Sequence, residues 1–495
     1  MPFLSTRGEK NVTASQAILR GLAPDGGLYV PAAFPVIPLA DVAAMATQPY
    51  PVRAARVLGA LLDDYRQQEL AQATALAYAR FDGDGPAPLR ALAPNLHMLE
   101  LYHGPTLAFK DMALQLLPHL TRLAMDKNGE QRELFVLVAT SGDTGKAALE
   151  GYCGVPGTRC AVFFPSQGVS EAQRLQMVTQ AGANTHAIAV CGNFDDAQNG
   201  VKRIFADADF AKTMHAQGRT LSSANSINFG RLAPQVAYYF SAYADLLATG
   251  AITPGQRVHF AVPTGNFGNI LAAEYARRMG LPVGKLLCAS NSNNVLTDFL
   301  ATGVYDANRP FHQTISPSMD ILISSNLERL LFELCGRDAS AVSAWMRALR
   351  TGGRYDIGAT HLSALRGHFL GAWVDDGTTR ATIRQVWRDH RRLLDPHTAV
   401  AARALLDYRQ QTGDMAPAVV VSTASPFKFG RDVAQALFED PAADAADDFA
   451  CCRRLADTCG LTVPPAIAQL PALPIRHTLQ TDPADMALTL LRALG

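Results

Sequence analysis

Short, unbroken apolar runs, each followed by a glycine- or hydroxyl-rich loop and a helical pattern, constrain this chain most. Leu134–Ala139, Cys160–Pro165, His186–Val190, Arg257–Val262 and Ala418–Val421 carry almost no polar side chain. A strand with one wet face alternates polar and apolar residues, so continuous runs predict strands covered on both faces. Between them lie Ser170–Leu175, a capped helix start, and a helical stretch through Arg278. Strand and helix in alternation predict an α/β fold with parallel sheets and helices on both faces. At 495 residues, with 48% hydrophobic and 18% charged side chains, the chain can hold two or three domains with large cores.

Several function classes are disfavoured at once. Lys+Arg and Asp+Glu balance at 44 each, which favours neither nucleic acid nor an anionic membrane as partner. No apolar run approaches the ~18 residues of a membrane helix. The opening Met1–Lys10 lacks the layout of a signal peptide. The eight cysteines show no CxxC or metal-ligand spacing; Cys451 and Cys452 are adjacent and Cys459 is isolated. Thiols kept reduced in the cytoplasm are the expectation, with no metal site.

Lys110 is the most informative single residue. It stands behind the turn Gly104-Pro105-Thr106 and before a helical pattern, Met112-Ala113-Leu116-Leu117-Leu120. At a helix start, backbone N–H groups and the dipole disfavour a protonated amine, and burial beside Phe109 acts the same way. A neutral amine is a nucleophile; the competing reading is a solvated surface lysine.

Three loops suit anions. Thr140–Gly145 leads into a helix expected at Lys146; it ends like a phosphate-binding P-loop, but Thr140 replaces the required glycine and Ala147 the required hydroxyl. Pro263–Asn269 ends a strand with two glycines and opens a helix. In Ser222–Gln235, Asn225, Ser226 and Arg231 place amide, hydroxyl and guanidinium donors within one turn and helix, a set suited to a phosphate dianion. A helix cap beside a solvated arginine also explains them. Ser316–Asp320 and Asp395–Ala399 read as caps and turns, with His397 structural.

His103-Gly104-Pro105-Thr106-Leu107-Ala108-Phe109-Lys110-Asp111 closely resembles the pyridoxal-phosphate (PLP) lysine segment of the threonine synthase family, long-chain branch. Gln16–Pro31 resembles that family's N-terminal domain, and the loops above recur in family order. The resemblance implies a fold-type-II PLP enzyme with two parallel-sheet α/β domains and a small N-terminal domain. It implies that Lys110 forms the Schiff base with PLP and that Gly265, Asn266, Phe267, Gly268 and Asn269 cradle the cofactor phosphate. It further implies that Thr423 meets the pyridine nitrogen. Ser141, Asp143 and Thr144 would hold the substrate α-carboxylate. Many relatives carry Asn where this chain has Asp143, and the Asn amide can meet the cofactor's O3′; an anionic Asp143 near that phenolate-like oxygen would have to be protonated, displaced or bridged. Asn225, Ser226 and Arg231 would grip the substrate phosphate.

The activity implied is conversion of O-phospho-L-homoserine and water to L-threonine and phosphate, by a chain expected as a monomer rather than a dimer. A related PLP-dependent phospholyase or dehydratase is the first alternative, and a catalytically silent binding module the second. The expected organisation is an N-terminal domain over 1–90 and a catalytic region over 91–440. Within it a smaller subdomain is expected at roughly 145–225, and a C-terminal extension at 441–495. That extension opens with an acidic connection at 441–448 and ends in a short amphipathic helix from Asp482-Pro483 to Leu494.

Overall fold

The computed structural model describes residues 1–140, 142–167, 169–439 and 447–494. Two sheets organise it. The larger has six strands in the spatial order Phe369–Trp373, Val283–Ser290, Val258–Pro263, Ala418–Ser422, Leu96–Glu100, Leu89–Ala93. Every neighbouring pair is parallel except the last, a hairpin. Val258–Pro263 and Ala418–Ser422 are buried at every residue, as their apolar composition requires. The smaller sheet has five parallel strands in the order Gln480–Thr481, Thr185–Val190, Thr158–Pro165, Glu133–Ala139, Arg219–Ser223. The α/β architecture is the one the apolar runs predict.

Three strand pairings bear on how the chain is organised. Leu89–Ala93 pairs with Leu96–Glu100, so a boundary at 90 would cut a strand of the large sheet. The small sheet takes in Glu133–Ala139, ahead of 145. The chain's end is also not an appendage, because Gln480–Thr481 pairs with the edge strand Thr185–Val190. Behind it the helix Met486–Leu494 inserts Met486 and Leu490 among Ile188, Val201 and Ile204. An uncovered edge there would expose a row of unpaired N–H and C=O groups. Pro483 lies in the turn before this helix rather than in its first turn. Of the acidic connection expected at 441–448, residues 441–446 lie outside the described residues, and Asp447 caps the helix Asp448–Cys459.

The N-terminal residues brace the catalytic region. The helix Ala14–Arg20 is capped by Thr13 and Gln16 and stops at Gly21, whose φ of 72° is left-handed. Asn228 donates from its side chain to the Ile18 carbonyl (2.9 Å), and its Oδ1 accepts from the Gly230 N–H, capping the helix Phe229–Ala248. That 20-residue helix is buried along most of its length. Arg329, fully buried, donates to the carbonyls of Tyr29 (2.9 Å) and Ile227 (2.6 Å), tying the Tyr29–Pro31 strand to the polar segment ahead of that helix. Among the described residues no helix is long and apolar enough to cross a membrane, and no cluster of His, Cys, Asp or Glu could hold a metal. None of the eight cysteines forms a disulfide.

Candidate active site

The site gathers at the carboxyl ends of the large sheet's strands, where open α/β sheets hold ligands. Ala418–Ser422 delivers Thr423, whose carbonyl accepts the Phe109 N–H (2.8 Å) while the Ser425 N–H donates to the Leu107 carbonyl (3.0 Å). These bonds lay the Lys110 segment along the strand end. Lys110 is the first residue ahead of a short helix, Asp111–Leu114, and the apolar pattern then restarts at Leu117–Asn128. One helix from Met112 to Leu120 is not formed, because Pro118 has no N–H to offer the preceding turn.

The Lys110 side chain is not a solvated surface charge. It is 11% exposed, with Nζ 3.2 Å from Asp143 Oδ2 and 3.1 Å from Ser318 Oγ, and 5.3 Å from the Phe109 ring centre. Burial pulls its pKa below the ordinary lysine value; Asp143 opposes this, while Lys428 and Arg231 add to it.

Asp143 opens the helix Asp143–Tyr152, three residues before the expected start at Lys146. Its carboxylate is held between two lysines. Oδ1 lies 2.9 Å from Lys428 Nζ and accepts from Gln173 Nε2 (3.0 Å); Oδ2 takes Lys110 and the Ser318 hydroxyl (3.1 Å). Burial alone would raise its pKa, but Lys428 and Lys110 hold the carboxyl well below the usual range. Thr144, on the same first turn, makes no side-chain hydrogen bond among the described residues. Ser141 lies outside them.

Asn225 and Ser226 lie between the strand Arg219–Ser223 and the helix Phe229–Ala248. The helix cap is Asn228, so neither is used for capping. Arg231 is 4% exposed, which removes the solvated reading. Nη1 donates to the Ala224 carbonyl (2.6 Å), Nε has no partner, and no carboxylate pairs with it among the described residues. Burial pulls its pKa down to about 10, against a smaller opposing effect of Tyr152.

The glycine loop is held from beneath. A Cβ on Gly265 would sit 2.7 Å from the Ser318 carbonyl oxygen, so only glycine allows this approach. The Asn266 carbonyl accepts from the backbone and side chain of Asn326 (3.1 and 2.9 Å). Phe267 takes a left-handed φ of 64°, and Gly268 begins the helix Gly268–Arg278, whose first N–H groups have no acceptor within the helix. Asn269 turns its side chain inward, Oδ1 accepting from the hydroxyls of Tyr238 and Tyr239. Its Nδ2 has no hydrogen-bond partner among the described residues. Ser325 connects this loop to the polar segment, 3.4 Å from Ser226 Oγ and 3.3 Å from Asn266 Oδ1. The Thr423 hydroxyl has no hydrogen bond among the described residues.

Sequence reasoning missed Ser318, Gln173 and Lys428 as parts of this cluster. His397 is structural, as expected, but it has a particular task. Nδ1 bonds Asp395 (2.8 Å) and Nε2 accepts the Ser318 N–H (3.1 Å), fixing the segment that carries Ser318 to Lys110. The signal for Lys428 was present in Phe427-Lys428-Phe429, a cation between two aromatics directly after an apolar strand.

The residues fit a phosphorylated aldehyde cofactor. They include an amine of lowered basicity, a glycine loop with free helix N–H groups, an unpartnered hydroxyl at the neighbouring strand end and a buried guanidinium with an orphan Nε.

Comparison with known proteins agrees. Residues 2–78 match the family "Threonine synthase N terminus", 81–424 "Pyridoxal-phosphate dependent enzyme", and 398–461 "Threonine synthase, C-terminal". The chain is 42% identical over 442 residues to threonine synthase of Pseudomonas aeruginosa, covering 88% of this chain and 90% of that protein. It is 41% identical over 455 residues to human threonine synthase-like 1, covering 88% of this chain but 60% of that longer protein. The crystal structure of PLP-bound threonine synthase from Brucella melitensis superposes with a TM-score of 0.87 at 37% identity, covering 100% of this chain and 99% of that one.

Proposed function

We propose, for a chain that belongs to the threonine synthase family of pyridoxal-phosphate-dependent enzymes, that this site converts O-phospho-L-homoserine and water to L-threonine and phosphate. The observation that carries the reading is Arg231, a buried guanidinium with no carboxylate partner and an unpaired Nε among the described residues. Burying a charge without a partner is costly, and an anionic ligand group is the ready explanation. A dehydratase acting on serine or threonine would have no use for it.

Lys110, the N–H groups of the Gly265–Asn269 loop and Thr423 would hold PLP. When bound, PLP supplies an electron sink for charge developing at the substrate's α-carbon. Thr423 is a neutral hydroxyl and cannot hold the ring nitrogen protonated as a carboxylate would, so that sink is a moderate one. Lys110 Nζ, made less basic by its burial, takes the proton from the substrate's Cα and then one from Cβ. Arg231, with Asn225 and Ser226, binds the γ-phosphate and stabilises its negative charge as the C–O bond breaks. The Gly142 and Gly145 N–H groups are taken by the Thr140 hydroxyl (both 3.0 Å), which leaves the backbone N–H groups of Asp143 and Thr144 and the Thr144 hydroxyl for the α-carboxylate, with Ser141 assigned there by resemblance. Asp143, already an anion held by two lysines, is better suited to orienting Lys110 than to meeting another carboxylate. The hydroxyl of water adds at Cβ, one proton goes to Cγ and one returns to Cα, which with loss of the phosphate from Cγ gives L-threonine.

Eight cysteines without a disulfide and balanced charge support a cytoplasmic enzyme with no nucleic-acid partner. The test is phosphate release from O-phospho-L-homoserine by the PLP-loaded protein, with threonine quantified in the same tube. Equal amounts, abolished by Lys110→Ala, are expected. Phosphate accompanied by 2-oxobutanoate would make the protein a phospholyase, and near-normal turnover by the Lys110 variant would overturn the assignment.

A further inference from the structure

Lys428 has no part in the scheme above, yet it is fully buried in the middle of the site. Its side chain is 0% exposed and comes from the turn Pro426–Phe429, just past the strand end that delivers Thr423. Nζ donates to the Thr106 carbonyl (2.8 Å) and lies 2.9 Å from Asp143 Oδ1. Asp143 thus receives two lysines on its two oxygens, at unequal distances: 2.9 Å for Lys428 and 3.2 Å for Lys110.

If Asp143 faced Lys110 alone, the pair would hold Lys110 as an ammonium, which is neither nucleophile nor base. A carboxylate shared with a second buried cation attracts Lys110 less strongly. Lys428 has no water to retreat to and a second fixed acceptor in Thr106, whereas Lys110 has only the Ser318 hydroxyl besides Asp143.

We propose that Lys428 is a positioning residue: it is the permanent counter-ion of Asp143, keeping that carboxylate charged and in place while leaving Lys110 free to lose its proton. This rests on the reading of Lys110 as the cofactor-binding, proton-moving amine.

The charged groups facing Lys110 are few. Asp143 comes from its helix start, Lys428 from its turn and Arg231 from the long helix. His397 stands behind the Ser318 segment, and Asp111 is engaged by Thr106 and Gln115. Removing Lys428 takes a cation from this set, so protonation at the Lys110 nitrogen becomes easier. Removing Asp143 does the opposite.

The test follows the visible absorption of the PLP-loaded protein against pH, since that band reports protonation at the Lys110 nitrogen. Lys428→Met should move the midpoint up by about one unit, and Asp143→Asn should move it down. Lys428→Arg should stay near wild type. The double variant should depart from the sum of the single shifts, because the two side chains are in contact. A Lys428→Met protein that titrates as wild type overturns the proposal. Should that variant fail to fold, Asp143→Asn still decides, because an unmoved midpoint there overturns it equally. Wild-type protein that takes up no cofactor, or a Lys110→Ala protein with the wild-type spectrum, would instead refute the reading of the site itself.

Discussion

Replacing Arg231 with methionine should make the ligand-free protein more stable and the enzyme worse. The guanidinium is 4% exposed, bonded through Nη1 to one carbonyl, and its Nε is unpaired. Its pKa, drawn down to about 10 chiefly by burial, implies that holding the charge there costs about 3 kcal/mol. Methionine fills much of the same volume without charge, while leaving the Ala224 carbonyl without its donor at a cost of about 1 kcal/mol. A net stabilisation of about 2 kcal/mol remains, in the range found when buried ions give way to apolar side chains. Against the phosphate-bearing substrate the sign reverses. Losing charge-assisted hydrogen bonds to a dianion costs about 3 kcal/mol, or roughly a hundredfold in kcat/KM. Two assays decide it: calorimetric melting of both proteins without ligand, and steady-state kinetics on O-phospho-L-homoserine. Inorganic phosphate should raise the melting temperature of wild type and not of the variant. A variant that melts below wild type, or that keeps its kcat/KM, would refute the claim that this guanidinium is stored for an anion.

Two further predictions use other parts of the site. Gly265→Ala places a Cβ 2.7 Å from the Ser318 carbonyl oxygen, so the segment that brings Ser318 to Lys110 must retreat. Fluorescence titration should then show PLP affinity reduced by roughly tenfold or more, for a modest cost in folding of about 1–3 kcal/mol. Glu150 joins Lys146 (2.8 Å) and Arg80 (2.6 Å); burial would raise its pKa, but the two cations bring it down to about 2. A folded pKa below the unfolded value means stability that is present above about pH 4.5 and lost as pH falls toward 2. With Arg80 partly in solvent, Glu150→Gln should cost about 2 kcal/mol at neutral pH. Thermal melts of the two proteins should converge between pH 4.5 and 2; a constant gap would refute the assignment.

How much the sequence discloses depends on how local the cause is. Strands such as Val258–Pro263 announce themselves because burial on both faces demands apolar residues throughout. Leu89–Ala93 does not, being half-buried and paired through a tight turn. Gln480–Thr481 is too short to carry any period, and only the unpaired edge of Thr185–Val190 explains it. The loops that suit anions are legible from glycine, hydroxyl and helix-start chemistry. What residue types leave open is whether Arg231 is solvated, and there burial decides. The electrostatic difficulty of Asp143 is also legible, but its resolution is not, because Lys428 and Ser318 approach from far along the chain.

The buried charges of the site do not balance by themselves. Lys428 and Arg231 both act on Lys110, and among the described residues Asp143 is the carboxylate that pairs with both lysines. A folded chain holds such an excess of positive charge only because packing elsewhere outweighs it, here the large core and the N-terminal brace through Arg329 and Asn228. The same excess gives an anionic cofactor and a phosphate-bearing substrate a preorganised place, with no reorganisation required when charge develops on the leaving group. Stability withheld from the ligand-free protein returns as affinity. That is why Arg231→Met should separate the two quantities, whereas Lys428→Met, which removes a cation already paired with Asp143, should act chiefly on the protonation of Lys110.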